Sequence, residues 1–208
     1  MEQVISDLSI RTKGEGFTNI TNALNKWIKD NRLKKGILVL TSKHTSCSLI
    51  INENADPRVL KDLSAYMKAI VPELGFKSIS GDNKEQRYLH SEEGVDDMPA
   101  HIRTTLTCTS LTMSIKNSRL DLGTWQAIYL WEHRYTKKER IIGLHSIAEK
   151  IKIEETNSNN SLKSLLQTNS SRLNEIYRSK NQNSSISLDT QFISKKHLSN
   201  DPTDAIDS

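Results

Sequence analysis

The chain has 208 residues, a net charge of +4, a mean hydropathy of −0.57 and an aromatic content of 5%. This length suits one domain with or without an appendage, and Lys and Arg do not cluster beside aromatic residues, which argues against a nucleic-acid-binding protein. Apolar runs stay short of a membrane span and the N-terminus lacks a signal-peptide pattern, so we expect no membrane partner, a cytoplasmic location and reduced, core-side cysteines at Cys47 and Cys108.

The first predicted elements are a helix, two strands and a second helix. Residues 19–31 carry apolar side chains at helical spacing, which predicts an amphipathic helix. Residues 37–40 and 49–51 are short apolar runs rich in β-branched side chains, which predicts buried strands. Asp56 followed by Pro57 is typical of a helix start, because Asp accepts backbone N–H groups and proline is preset for the first helical position.

The later elements of the first part are mostly strands. A short helix is predicted to begin at Met98, and residues 106–115, 120–131 and 141–144 have the apolar patterns of strands. Because strands predominate and no repeated βαβ alternation is present, the pattern predicts an α+β fold. We assign residues 1–149 to this domain.

Beyond residue 149 the chain becomes rich in Asn and Ser, and its apolar runs stop. A segment of this composition buries too little apolar surface to offset its conformational entropy. Residues 150–208 are therefore predicted to form a disordered, low-complexity tail. The alternative is a helix formed on a partner or on the domain, because a weak helical spacing connects Leu162, Leu165, Leu166, Leu173 and Ile176.

Three histidines lie in polar surroundings that are typical of sites. His44 follows a predicted buried strand, and His90 and His101 flank the acidic pair Asp96 and Asp97. Three imidazoles and one carboxylate are a ligand set for a divalent metal with an open position, which would polarise a phosphate or activate water. The alternative is that these histidines are solvated or bond only to backbone carbonyls.

A second polar group follows a predicted buried strand and comprises Asn52, Glu53 and Asn54. Glu53 is interpreted as a general base, a metal ligand or an ion-pair partner. Asp56 is expected to be a helix cap rather than a ligand. The backbone N–H groups of that helix start are a possible binding place for an anion such as phosphate.

A third group contains Trp125 and Gln126, and a charged run follows it. Trp125 is suited to stacking on a heteroaromatic ring while Gln126 binds the polar edge of that ring; the alternative places Trp125 in the core. Glu132 is expected to pair with Arg134 or Arg140 at the surface.

At these three groups the sequence resembles the YjbQ family. The order and gaps agree from about Gly14 to Leu144, and the resemblance implies a compact α/β/β sandwich that assembles as a homotrimer. The matching residues are His44-Thr45-Ser46, Ser48-Leu49, Asn52-Glu53-Asn54, Asp56-Pro57, Tyr88, His90, Glu93-Gly94, Asp96-Asp97-Met98-Pro99-Ala100-His101-Ile102, Thr109-Ser110-Leu111, Gly123-Thr124-Trp125-Gln126, Glu132-His133-Arg134 and Arg140-Ile141-Ile142.

The resemblance also implies a function, the synthesis of thiamine phosphate from hydroxymethylpyrimidine diphosphate and thiazole phosphate with release of pyrophosphate. It implies a divalent metal, Zn, Mn or Mg, held by His44, His90 and His101. Under this hypothesis Glu53 and Asp97 are the catalytic candidates. The residues expected to bind the phosphorylated substrate are Asn52, Asn54, Trp125 and Gln126.

Two other hypotheses stay open. One is a different metal-dependent phosphotransfer enzyme or hydrolase acting at the same site. The other is a non-catalytic trimeric binding protein whose tail recruits a partner. The chain lacks an evident cluster of arginines for a diphosphate, since Lys43, Arg103 and Arg119 are the few basic residues near the three groups. The substrate is therefore left open by the sequence.

Overall fold

A computed structural model of the chain describes residues 1–78, 84–152 and 158–182. The chain divides into two compact units, Met1–Lys152 and Ile153–Ser208. Among the described residues, no helix is both long and apolar enough to cross a bilayer. The predicted boundary after residue 149 therefore lies within a few residues of the division between the two units.

In the described part of the first unit there are three helices and ten strands. The helices are α1 (Thr21–Asp30), α2 (Pro57–Ile70) and α3 (Asp97–Leu106). The strands are β1 (Glu2–Arg11), β2 (Gly16–Asn19), β3 (Leu33–Ser42), β4 (Cys47–Glu53), β5 (Phe76–Lys77), β6 (Glu85–Gln86), β7 (Ser110–Lys116), β8 (Arg119–Leu120), β9 (Gln126–Glu132) and β10 (Glu139–Lys150).

Two antiparallel sheets make the main layers. The larger sheet has the strand order β1-β10-β3-β7-β8, and the smaller has the order β2-β9-β4. A two-stranded ribbon of β5 and β6 stands apart from both. In the smaller sheet β4 pairs with β9 in a register that places Cys47 opposite Glu132 and Glu53 opposite Gln126. This register fixes which residues lie at each end of the β4–β9 pair.

Alternation of apolar side chains forms the core between the sheets. In β10 every second residue is buried, including Ile142 and Leu144, because successive side chains of a strand point to opposite faces. Leu49 of β4 and Leu130 of β9 lie opposite one another and are fully buried in the same cluster. Leu24 of α1 joins this core. The α+β fold, with its sandwich of layers, is confirmed.

Local signals explain where the helices begin and end. Asp56 caps α2 as predicted, since its Oδ1 accepts a hydrogen bond of 2.9 Å from the backbone N–H of Arg58, and Pro57 occupies the first helical position. Although α2 has apolar residues at helical spacing, none of its residues is buried. The helix therefore covers the smaller sheet loosely.

Several boundaries and one cysteine differ from the sequence-based expectations. Strand β1 was not predicted, although its alternate residues are half-buried: the inward positions include the polar Ser6, and pairing with β10 holds the strand in place. The predicted strand over residues 106–115 begins only at Ser110, because α3 continues to Leu106. Cys47 is buried as expected, whereas the expectation was wrong for Cys108, whose thiol is free and exposed beyond the end of α3.

The second unit contains helix α4 (Ser158–Gln182). The structure thus differs from the predicted disorder over this stretch and has the helix that the leucine spacing offered as the alternative. Leu165, Leu166, Leu173 and Ile176 are exposed. Predicted disorder at residues 183–208 lies outside the described residues.

Candidate functional site

A cluster of three potential metal ligands forms at the start of α3. Asp97 is the first residue of this helix, and His101 lies one turn later on the same face. His90 comes from the loop before the helix. Their ligand atoms lie within 4.8 Å of one another, and we call these three residues the histidine cluster. The sequence predicted the proximity of all three.

Asp97 is the centre of the cluster. It is 2% exposed, and its Oδ2 atom lies 2.7 Å from His90 Nε2 while accepting no hydrogen bond. Its Oδ1 atom lies 3.7 Å from His101 Nε2 and accepts from the guanidinium of Arg134. The two oxygens of this buried carboxylate therefore face the Nε2 atoms of two imidazoles and one guanidinium group.

His101 has the orientation of a metal-binding imidazole. Its Nδ1 lies 2.9 Å from the backbone carbonyl oxygen of Thr45, to which it donates in the tautomer that this geometry favours. Nε2 then carries the lone pair and faces Asp97. Metal-ligating histidines commonly donate their second N–H to a carbonyl in this way, which fixes the ring.

Arg134 holds the acidic side of the cluster in place. Its Nε donates to Asp96 Oδ2 over 3.1 Å, and a terminal nitrogen donates to the carbonyl oxygen of Glu93 over 2.8 Å. Burial opposes ionisation of Asp96, but the Tyr135 backbone N–H and the Arg134 guanidinium together lower the pKa of this carboxyl. The Asp96 carboxyl is therefore held ionised, and Arg134 holds both members of the acidic pair in fixed positions.

Gly94 makes the turn into this helix possible. Its φ angle is +118°, in a region where residues with a Cβ are strained. A Cβ at this position would lie 3.0 Å from Asp96 Oδ1. The conformation of Gly94 therefore brings the His90 loop close to the acidic pair.

His44 is not one of the three clustered residues. Its Nε2 accepts a hydrogen bond of 2.7 Å from the backbone N–H of Ile141. Burial, followed by the positive charge of Arg140, lowers the pKa of His44. One ring nitrogen of His44 is therefore occupied by a hydrogen bond between the loop before β4 and strand β10.

A buried polar layer continues behind the cluster. Glu132 is fully buried and accepts from Arg140 over 2.5 Å, so the expectation of a surface pair is wrong in place although the pairing is right. His133 Nε2 lies 2.9 Å from Ser48 Oγ. Burial, helped by the charges of Arg103 and Arg140, lowers the pKa of His133 to about 3, so its imidazole is neutral.

A cavity of about 410 Å³ adjoins the cluster. His90, Tyr88 and Ser91 contribute to its wall, as do Arg87 and Glu85. With Glu73, the wall therefore offers one cation, two carboxylates and two hydroxyl groups beside His90. This volume is in the range of small-molecule sites.

The second and third predicted groups form another cavity, at the other end of the β4–β9 pair. Asn52, Glu53, Trp125 and Gln126 line about 470 Å³. Trp125 is 65% exposed, so the alternative that places it in the core is wrong. Asn54 does not line this cavity; its side-chain amide donates to the carbonyl oxygen of Gln126 over 3.2 Å and holds the loop.

The two predicted halves of the site are far apart within one chain. The cluster is attached to Thr45, just before β4, whereas Glu53 ends β4. The seven residues of β4, Cys47–Glu53, span roughly 20 Å. A small substrate cannot contact both ends of one chain at once.

The residues of the cluster fit a divalent metal. Two imidazoles and one carboxylate form a common ligand set that leaves positions for water or substrate, and the ligands lie about 2.0–2.2 Å from the ion. Asp97 Oδ2, which lies 2.7 Å from His90 Nε2, and the Nε2 atom of His101 are atoms that would hold the ion.

The sequence reading underestimated Arg134. The signal was present, because Glu132 ends the apolar strand β9 and His133 and Arg134 follow it directly; all three residues are buried. A charged run after a buried strand predicts buried ion pairs when acidic partners stand nearby in the fold. Only the tertiary structure identifies those partners as Asp96 and Asp97.

Comparisons with known proteins agree with the fold. A family model described as UPF0047 protein YjbQ-like matches residues 6–149. A UPF0047 protein of Synechocystis sp. is 44% identical over 142 residues, which cover 68% of this chain and 90% of that relative. The UPF0047 protein YjbQ of Escherichia coli O157:H7 is 38% identical over 128 residues, which cover 61% of this chain and 85% of YjbQ.

A solved structure gives the same picture. The crystal structure of a YjbQ/UPF0047-family protein from Clostridium acetobutylicum has a TM-score of 0.58 and 30% identity to this chain. The match covers 68% of this chain and 99% of the crystallised protein. The similarity therefore concerns the first unit.

Proposed function

The chain belongs to the YjbQ (UPF0047) family, and from this membership and the histidine cluster we propose that it is a metal-dependent enzyme of phosphorylated small molecules. The observation that carries the proposal is the convergence of the buried Asp97 carboxylate and the His90 and His101 imidazoles, whose ligand atoms lie within 4.8 Å of one another. A divalent ion bound there supplies Lewis acidity toward a phosphate oxygen.

The chain's own residues orient the site. Arg134 fixes the Asp97 carboxylate, and the Thr45 carbonyl fixes the His101 ring. The cavity beside His90 receives the substrate, with Arg87 offering a positive charge to a phosphate group. Asp97 therefore acts as a metal ligand rather than as a general acid or base.

The specific reaction proposed is thiamine-phosphate synthesis, which follows from the family resemblance. Glu53 lies roughly 20 Å from the cluster along β4, so its part in the same reaction requires a neighbouring protomer. The homotrimer is thus part of this proposal, and light scattering of the purified chain tests it.

Hydrolysis of a phosphate ester is the second candidate. The observation that favours it is the engagement of two buried arginines in ion pairs, since Arg134 bonds to Asp96 and Asp97 and Arg140 bonds to Glu132. These guanidinium groups are therefore not free to clamp a departing diphosphate. Pyrophosphate release that needs both thiamine precursors supports the synthase, whereas phosphate release from a single ester supports the hydrolase.

The deciding experiment is the metal content of the purified full chain, measured by mass spectrometry before and after addition of Zn²⁺, Mn²⁺ or Mg²⁺. We expect one ion per chain in the wild type. His90→Ala, His101→Ala and Asp97→Asn should each lower the metal content at least tenfold while circular dichroism shows a folded chain, because each removes one ligand.

The matched control is His145→Ala, which removes an imidazole of the larger sheet that lies 3.2 Å from Gln3. It should leave the metal content unchanged. His44→Ala is also expected to keep the metal, and loss in that variant would make His44 a fourth ligand. Wild-type protein without metal above background in all three additions contradicts the proposal.

A further inference from the structure

Helix α4 of the second unit is polar except for one row of side chains. Its 25 residues, Ser158–Gln182, include eleven that are Ser or Asn. Leu165, Leu166, Leu173 and Ile176 stand out from this composition, and each of these four side chains is more than half exposed. Together with Asn169 they lie within about 100° of the helix circumference, because successive residues of an α-helix are about 100° apart. We call these five residues the α4 row.

The opposite face of α4 is polar. Gln167, Ser171, Asn174 and Arg178 lie there and are exposed. Ser and Asn are poorer helix formers than Ala or Leu, and helices in proteins gain most of their stability from the packing of an amphipathic face. A helix of this composition therefore needs a surface that covers the α4 row.

The apolar positions of α4 are symmetric about Asn169. Leu165 precedes Asn169 by four residues, and Leu173 follows it by four. In the same way Leu162 and Ile176 stand seven residues before and seven residues after it. A two-fold axis at Asn169 would set each of these positions beside its counterpart in an antiparallel copy of the helix, which is the geometry of a self-complementary interface. The symmetry therefore points to a second α4 as the covering surface.

The polar centre of the α4 row also suits a second copy. A polar residue within an apolar helix seam lowers stability but fixes the register, because it requires a polar partner at the same level. On the two-fold axis the two Asn169 side chains would meet, and each amide would donate a hydrogen bond to the carbonyl oxygen of the other. An entirely apolar surface would leave this amide without such a partner.

Charge decides between the antiparallel and the parallel arrangement. Three of the four basic residues of α4 lie in its C-terminal half, Arg172, Arg178 and Lys180. A parallel pair would bring these like charges together, whereas an antiparallel pair places them at opposite ends. The two helix dipoles also attract one another only when they are antiparallel. The antiparallel pair is therefore the favoured one.

We propose that α4 pairs antiparallel with α4 of a second copy of this chain. Asn169 lies on the two-fold axis, and Leu165 and Leu166 pack against Leu173 of the second copy. About five apolar side chains per copy make a small interface, so the pair is weak and reversible. This proposal goes beyond the function proposed above and holds whether or not the first unit binds a metal or forms a trimer.

Disulfide formation between single cysteines of the full chain tests both the pairing and its direction. In a Cys108→Ser background, which removes the exposed native thiol, Leu165→Cys and Leu173→Cys are mixed at about 0.2 mM in a glutathione redox buffer. One variant is ¹⁵N-labelled, so mass spectrometry distinguishes mixed dimers from self-linked dimers. We expect mixed dimers to exceed self-linked ones by about tenfold, because an antiparallel pair separates two copies of position 165 by about 12 Å along the axis.

Matched variants on the two faces of α4 sharpen the test. Ser171→Cys, on the polar face, measures the disulfides that form by random collision. Asn169→Asp sets two carboxylates together on the two-fold axis and should lower the yield of mixed dimers by about tenfold. Asn174→Asp makes the same charge change at an exposed position of the polar face and should leave that yield unchanged.

Three results overturn the proposal. The first is a yield of mixed dimers no higher than that of Ser171→Cys, which would assign the α4 row to a different partner. The second is self-linking of Leu165→Cys that equals its linking to Leu173→Cys, which would exclude the antiparallel direction. The third is an equal yield in Asn169→Asp and Asn174→Asp, which would remove Asn169 from the interface.

Discussion

The two ends of the β4–β9 pair differ in how their polar groups are treated. At the end near Thr45, charged side chains are buried and engaged in ion pairs around Arg134. At the other end, Glu53 and Trp125 border an open cavity next to a largely apolar one. Buried charges require fixed partners, whereas an apolar cavity requires only space. The first end therefore carries buried charges in fixed ion pairs, whereas the second carries an open and largely apolar surface.

Breaking the charged end should have the largest effect on stability. Arg134→Met leaves Asp96 and Asp97 buried without their cation, which should cost about 3–5 kcal/mol in the free energy of unfolding. Urea denaturation of the metal-free chain measures this loss. Arg58→Met, which removes the exposed partner of Asp56, should change stability little. Equal losses of stability in Arg134→Met and Arg58→Met would contradict the difference between buried and exposed ion pairs.

Apolar side chains of α2 should contribute less to stability than those packed between the two sheets. Leu49→Ala removes a fully buried side chain of the core and should cost about 2–5 kcal/mol. Leu63→Ala removes a half-buried side chain of α2, at the apolar cavity between this helix and the smaller sheet, and should lower the free energy of unfolding by about 1 kcal/mol. The same urea measurement compares them, and a larger loss in Leu63→Ala would mean that α2 packs tightly in solution.

Acid should weaken the charged end through His133. Its pKa falls from 6.5 to about 3 on folding, so below pH 6.5 the unfolded chain binds a proton that the folded chain does not. His133 therefore leaves the free energy of unfolding unchanged above pH 6.5, and this free energy decreases as the pH falls from 6.5 toward 3. The slope from this residue is about 1.4 kcal/mol per pH unit.

The measurement is the free energy of unfolding between pH 6.5 and 4 in the wild type and in His133→Gln. Glutamine keeps a hydrogen-bonding group for Ser48 but does not titrate. The variant should have a pH dependence that is shallower by about the slope given above. An unchanged slope would mean that the His133 imidazole is reached by water and protonates normally.

The sequence predicted most of the local structure and part of the site. The cap at Asp56 and the pairing of Asp97 with His101 follow from neighbouring positions along a helix, which sequence spacing expresses directly. Strand β1 was missed because pairing with β10, and not its own composition, holds it in place. The position of Glu53 relative to the cluster depends on the register of β4, which no spacing in the sequence records.

By itself the sequence determined the α+β class, the approximate end of the first unit and the family, and it grouped His90 and His101 with Asp96 or Asp97, although it also included His44. These features depend on periodicity and on residues close together in the chain. Only the tertiary structure decided that Arg134 is buried against the acidic pair and that Trp125 lies at a separate cavity. Such contacts join residues far apart in the chain, and their energies depend on burial, which arises only when the sheets and helices pack together.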